Sequence, residues 1–386
     1  MSESSPEFVK RLGLGLIGFG GFGQFIAEVF SAMPQVRLCA VSDADPARRE
    51  LAGRRYAVRT FDDPLELIAS EEVEVVVIAT PPNTHAPLGL AAARRGKHIF
   101  CEKPLATSLE EAARLIRTAR EHSVALIVDF VQRYNPLNEL VRDLVQERVL
   151  GKLVNIEVSN YASDEFLKPG HWFWDRQVSG GIWVEHGVHF FDLVAWWLGS
   201  QAGRVVAVSA ARPGGEEDRV WAIVRYPDGR TATFCHTFTQ PAIFEQTGIR
   251  LVFSRGYADL HGWIPTRLHL RAMVNQSELD YLEGRLDRRP VQLSPLLDEK
   301  CCGWASGEEY EVKYIAEFDL ELSEGKQAVY RDCVKRAMLD LLGMIRDPNY
   351  TPRLTAQDGL LALQTALAVT QAAQEGRQVD VQSILS

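Results

Sequence analysis

The chain of 386 residues is 46% hydrophobic and 24% charged, with a net charge of -9. It is long for one domain, so two are expected, each with enough apolar material for its own core. The acidic balance argues against nucleic acid as a partner and gives no pull toward an anionic membrane face. The opening MSESSPEFVKRLG holds no apolar export segment, and no run of ~20 apolar residues occurs. Six scattered cysteines, none in C-x-x-C, fit reduced thiols and a cytoplasmic location. The vicinal Cys301-Cys302 pair is read as a loop or core feature rather than a redox device.

The first third alternates apolar strand runs with helical patterns. LGLGLIG, VRLCAVSD, EVEVVVIAT, KHIFCEKP and ALIVDFV read as strands. FGQFIAEVFSAM is amphipathic, HAPLGLAAARRG ends in Gly96, and SLEEAARLIRTAREHS opens with Ser108 as N-cap. Such alternation predicts an α/β domain with a parallel, doubly wound sheet. It is assigned to residues 1–128, and a second domain to 129–386. From about 152 to 325 strand signals dominate, with a hairpin at Pro227-Asp228-Gly229. In EVKYIAEFDLEL the apolar Val312, Tyr314, Phe318, Leu320 and Leu322 share one face, which predicts an antiparallel sheet covered on one side. Val312 and Phe318 serve either the covering helices or an oligomer face. Residues 275–310 read as a long loop or insertion. Helices over about 326–346 and 355–375 close the chain.

Gly18-Phe19-Gly20-Gly21-Phe22-Gly23 is a G-x-G-x-x-G run between a strand and a helix. The first glycine makes the turn, the second admits a pyrophosphate, and the third lets helix and strand pack closely. The helix N-terminus supplies N–H groups and partial positive charge to the phosphates. Asp43, ~20 residues past the last glycine, sits where a ribose-binding acid belongs. A carboxylate there repels a 2'-phosphate and favours NAD over NADP. Arg48 and Arg49 soften that preference, and the competing role for Asp43 is to cap the turn before Pro46.

EHGVHFFD, residues 185–192, sets two histidines and two carboxylates in an apolar run. It suits a metal site, a proton-transfer site, or the polar side of a buried helix. On a regular helix Glu185, His189 and Asp192 fall within about 60 degrees of one another, with His186 turned away. A metal needs three convergent ligands and an open position, and His186, His189 and Asp192 match no zinc-type spacing. No metal is therefore expected. The aromatic run His171-Trp172-Phe173-Trp174 suits either a sugar wall or ordinary packing, and Trp174 is the candidate for substrate contact.

IATPPNTHAP, GKHIFCEKPLA, FVQRYNP, the SGG…EHGVHFFD segment and the closing LTAQDGLLALQTALAVTQAAQEGRQVDV resemble the glucose-fructose oxidoreductase / inositol dehydrogenase / MocA family. The resemblance spans most of the chain outside 275–310. It implies a Rossmann domain followed by a large, open, mostly antiparallel sheet, with the active site in the cleft between them. It implies that Thr80, Pro81 and Asn83 line the cofactor together with Glu102 and Lys103, and that Lys103 reaches the nicotinamide ribose and substrate hydroxyl. It aligns the family's catalytic acid and histidine with Glu185 and His189. Glu185 stands where aspartate is usual, and Ile182 where a third glycine is common. Arg133 matches a family position at the domain junction, for which a structural role is expected.

Alcohol oxidation needs a proton acceptor near neutral pKa and a cation beside the developing alkoxide. The expectation is an NAD-dependent dehydrogenase of a cyclic polyol or sugar. His189 is its acid/base, Lys103 the polarising partner and Glu185 the substrate binder, while Asp192 holds the imidazole or nearby backbone. The alternatives are an NAD-dependent glycosidase with no net redox, and a dinucleotide-sensing regulator. The family's sheet face commonly builds dimers or tetramers, so a homodimer or homotetramer is expected.

Overall fold

The computed structural model describes residues 11–296 and 302–385. The chain divides into two compact units, Met1–Phe130 with Val334–Leu360, and Val131–Cys333 with Leu361–Ser386. Among the described residues no helix is long and apolar enough to cross a membrane.

The first unit contains β1 (Leu12–Ile17), α1 (Gly21–Ser31), β2 (Val36–Ser42), α2 (Pro46–Tyr56), β3 (Arg59–Phe61) and α3 (Pro64–Ala69). These are followed by β4 (Val75–Ile78), α4 (His85–Arg94), β5 (His98–Cys101), α5 (Leu109–Glu121) and β6 (Leu126–Val128). The strands form one parallel sheet in the order β3-β2-β1-β4-β5-β6. That order reverses beside β1, and the carboxyl ends of β1 and β4 flank the switch point where such folds bind ligands. Continuous apolar runs suit strands covered on both faces: all four residues of β4 are buried. Ser108 caps α5 through the Glu111 N–H, and Glu110 and Glu111 oppose the helix dipole.

The second unit begins with a 3-10 turn at Val131–Tyr134, α6 (Pro136–Gln146), β7 (Leu153–Ser163) and α7 (Arg176–Ser179). A π-type turn, Trp183–Gly187, leads into α8 (Val188–Leu198). Strands β8 (Arg204–Ala211), β9 (Glu217–Arg225), β10 (Thr231–Gln240), β11 (Gln246–Phe253), β12 (Gly256–His261) and β13 (Arg267–Val274) follow. Then come α9 (Gln276–Leu286), β14 (Gln292–Pro295), β15 (Cys302–Ala305), β16 (Glu308–Glu311) and β17 (Tyr314–Glu321). The helices α10 (Gly325–Arg346) and α11 (Ala356–Glu375), whose residues between Val334 and Leu360 belong to the first unit, and the short β18 (Val379–Asp380) end the chain order. Ten strands join as β14-β17-β13-β12-β11-β7-β10-β9-β8-β18. Every pairing is antiparallel except β7 with β10. The expected hairpin joins β9 and β10, with Gly229 at φ +89 in its turn. Trp183, Phe190 and Phe191 are fully buried, each stabilising by about 1.5–3 kcal/mol.

Two expectations need correction. Residues 275–310 are not a long loop. Asn275 and Glu278 form a reciprocal capping box, and Leu279, Leu282 and Leu286 bury one face of α9. A capping pair followed by apolar residues at helical spacing was present in the sequence, hidden by the polar composition. Cys301 lies outside the described residues, and Cys302 is exposed on β15. Val312 and Phe318 are fully buried and so are not available to an oligomer face. Exposed apolar residues lie instead at Val206 and Val208 on β8 and Trp221 and Ile223 on β9. They pair across the two strands as Val206 with Ile223 and Val208 with Trp221.

Candidate active site

In the first unit the glycine run leaves β1 and opens α1. Gly18 has φ +94, and a Cβ there would lie 2.3 Å from the Ala79 carbonyl oxygen. A Cβ on Gly23 would lie 2.1 Å from the Gly18 oxygen. These two positions are closed by backbone. Gly20 and Gly21 are open: the nearest atom to a Cβ on Gly20 is Arg48 Nη1 at 3.8 Å, and Gly21 meets nothing within 4 Å. No side chain caps α1, whose first N–H groups lack intrahelical partners. The result is a cradle open to an anion on one side and tight on the other.

Asp43 is built into that cradle. Its Oδ2 accepts from the Phe19 N–H at 2.7 Å, and its Oδ1 from the Asp45 N–H at 2.9 Å. Asp45 caps the helix ahead of Pro46, while Asp43 holds the turn before it through the Asp45 N–H, so Asp43 serves both turn and cradle. Arg48 Nη1 stands 3.6 Å from Asp43 Oδ2, with its side chain half exposed. Arg49 instead donates to the carbonyls of Asp43 and Ala44.

Thr80-Pro81-Pro82-Asn83 follows β4 as a tight turn, in which Thr84 Oγ1 donates to the Pro81 carbonyl and meets Thr80 Oγ1 at 2.6 Å. His85, buried at the start of α4, ties this turn to the Glu102-Lys103-Pro104 segment. Its Nδ1 lies 2.7 Å from the Pro104 oxygen and its Nε2 2.8 Å from the Thr80 oxygen. Sequence reasoning gave His85 no role, although it ends the quoted TPPNTH motif. Glu102 is buried at the end of β5 and faces Asp129, the residue after β6. Burial, the like charge and the hydrogen bond between them hold the Glu102 carboxyl well above the usual range. Burial pushes Asp129 up to about 6, against the lowering pull of Glu102 and Lys103.

In the second unit the 3-10 turn carrying QRYNP is the organising element. Arg133 donates through Nε and Nη2 to both oxygens of Asp192, at 2.8 and 2.7 Å, with both side chains buried. Gln132 donates to the Trp263 carbonyl, and Asn135 Nδ2 to the Pro265 carbonyl at 2.9 Å. One short segment thus grips α8 and the loop after β12. Both oxygens of the Asp192 carboxylate are thus held by Arg133, a partner that the sequence did not point to.

The loop held by Gln132 presents Trp263, which sequence reasoning missed; one tryptophan in a turn carries no periodic signal. His186 stacks on its ring at 4.8 Å, and His189 meets it edge-on at 4.7 Å. His189 is 4% exposed. The π-type turn alters the helical phase, so His186 lies over Trp263 near His189 rather than turned away, their ring centroids 6.3 Å apart. Such turns occur frequently at functional sites. Glu185 is half-buried in the same turn. Beneath it His236 of β10 is fully buried and packs against Trp183, His186 and Phe190. Burial and the neighbouring His186 push its pKa well below the usual value, so it is neutral. Among the described residues no three His, Cys, Asp or Glu side chains converge as a metal site.

Trp174 donates through Nε1 to the Leu167 carbonyl at 2.8 Å and carries the Arg212 guanidinium over its ring at 4.3 Å. It borders a cavity of about 350 Å³ with Arg176, Gly181 and Glu216.

The switch-point cradle defines the class first: a dinucleotide-fold protein with a second unit built on an open mixed sheet. Residues 12–130 match the oxidoreductase family, NAD-binding Rossmann fold, of GFO/IDH/MocA, and residues 139–259 match the GFO/IDH/MocA C-terminal domain. The chain belongs to this family. It is 28% identical over 223 residues to a myo-inositol 2-dehydrogenase of Thermotoga maritima, covering 56% of this chain and 65% of that protein. It is 32% identical over 226 residues to an inositol 2-dehydrogenase of Rhizobium meliloti, covering 56% and 66%. The matched stretch therefore spans just under two thirds of each curated relative. The fold is similar to that of a levoglucosan dehydrogenase solved in complex with NADH and L-sorbose, at 20% identity and TM-score 0.76, covering 96% of this chain and 99% of that one.

Proposed function

We propose that the chain is an NAD-dependent dehydrogenase acting on a secondary alcohol of a cyclic polyol or sugar. The observation that carries this reading is the half-open glycine cradle, closed at Gly18 and Gly23, open at Gly20 and Gly21, and tethered to Asp43. Its backbone N–H groups suit a pyrophosphate, and the Asp43 carboxylate suits ribose hydroxyls while repelling a 2'-phosphate. Gly18 through Gly23, Thr80, Pro81, Asn83, Glu102 and Lys103 form the cofactor site in this reading. When bound, the nicotinamide supplies the hydride acceptor.

His189 takes the hydroxyl proton. Its ring is fixed against Trp263, and an imidazole is the side chain suited to that proton transfer near neutral pH. Lys103 stabilises negative charge developing on the substrate oxygen. Glu185 binds a further hydroxyl, and Trp174 contributes a face to the substrate wall. The strip of Val206, Val208, Trp221 and Ile223 serves self-association into a homodimer or homotetramer, and the protein works in the cytoplasm.

The test is NADH absorbance with purified protein, NAD and a panel of inositols and aldoses. Net NADH is expected with at least one of them. His189→Ala should lower turnover by about 10²–10⁴ with NAD affinity retained. NAD binding without NADH across the panel, or turnover unchanged in His189→Ala, would refute the assignment.

A further inference from the structure

Asp129 is an acid in an apolar run, ALIVDFV, and the fold carries it into the interior. Its N–H bonds the Cys101 carbonyl at 2.8 Å, which sets it beside the end of β5, where Glu102 begins the Glu102-Lys103-Pro104 segment. Both oxygens of Asp129 and Oε1 of Glu102 are shielded from solvent and meet no N–H or hydroxyl donor. Three buried acceptor atoms without a donor are costly, and two full negative charges facing each other there are costlier. A single proton removes both penalties: one carboxyl becomes a donor to the other, and one charge remains.

We propose that Glu102 and Asp129 share one proton, so that the pair presents a single, fixed negative charge to Lys103 and acts as a positioning element for that ammonium. The titratable groups of the first unit that face the pair are Cys101 and Lys103. Cys101 is fully buried, and its thiol is held well above its usual range by burial and by both carboxyls, so it stays neutral. Lys103 favours the charged form of each acid, and its backbone N–H bonds the Glu102 carboxyl. One ammonium therefore faces one negative charge. The value of this balance for a proton-handling Lys103 rests on the proposed dehydrogenase function; the shared proton does not.

Infrared spectroscopy of the full chain at neutral pH tests the proton directly. The wild type is expected to show the C=O stretch of a protonated carboxyl, shifted in D2O, and both Asp129→Asn and Glu102→Gln should lose it. No such band in the wild type, or a band surviving in both variants, would overturn the proposal. A protein that shows the band and oxidises no polyol keeps the shared proton and loses the dehydrogenase reading.

Discussion

Asp192→Asn should unfold the second unit far more readily than its small change in shape suggests. Arg133 and Asp192 are both buried and joined by two charge-assisted hydrogen bonds of 2.7 and 2.8 Å. Removing one partner strands the other charge away from water, at a cost of about 3–5 kcal/mol. For a unit of this size that corresponds to a drop in Tm of roughly 10 °C. Arg133→Met should cost a similar amount. The double variant Arg133→Met, Asp192→Leu leaves no stranded charge and should recover most of the loss, because a buried pair replaced by apolar groups is often neutral. Urea melts of the wild type, Asp192→Leu, Arg133→Met and the double variant, followed by tryptophan fluorescence, close the cycle. A loss below about 1 kcal/mol for either single variant, or simple addition of the two in the double, would refute the argument that the pair is desolvated and mutually dependent.

Gly23→Ala should abolish NAD binding in calorimetry, because its Cβ would stand 2.1 Å from a backbone oxygen that cannot yield without opening the cradle. Trp221→Glu, on the exposed strip of β8 and β9, should shift the protein to a smaller species in light scattering, with a monomeric wild type as the contrary result. The Asp129 carboxyl is raised to about 6 in the folded state, against about 4 in an unfolded chain. The fold then holds a proton that the unfolded chain has released, so the contribution of this group to stability is fully present below about pH 4 and is lost as pH rises through this window. The slope approaches ~1.4 kcal/mol per pH unit, and Asp129→Asn should flatten it in melts between pH 4 and 6.

The parallel sheet was legible because both faces of its strands are covered, and the apolar runs of β1, β4 and β5 are therefore unbroken. The glycine run was legible because each glycine answers a local steric demand. Much of the second unit's site was not. Asp192 and Arg133 are 59 positions apart, and Gln132 and Trp263 are 131 apart, so no local spacing joins them. Asp129 was passed over because one acid inside a strand-like run does not change the run's periodicity. The phase of His186 was not legible, because a π-type turn interrupts the regular helix that the spacing of residues 185–192 implies.

That irregular turn has a consequence for how the chain tolerates insertions and deletions. Trp183–Gly187 winds more loosely than the α8 ladder it enters, so one residue more or fewer there is a rotation rather than a substitution. Deleting a single residue between Gly181 and Val188 would tighten the turn and swing everything before α8 by about 100 degrees relative to His189. Each residue type would survive, yet Glu185 and His186 would leave the Trp263 side. The arrangement around His189 is thus written partly in the count of residues, and a relative with the same letters and a different count would build a different site.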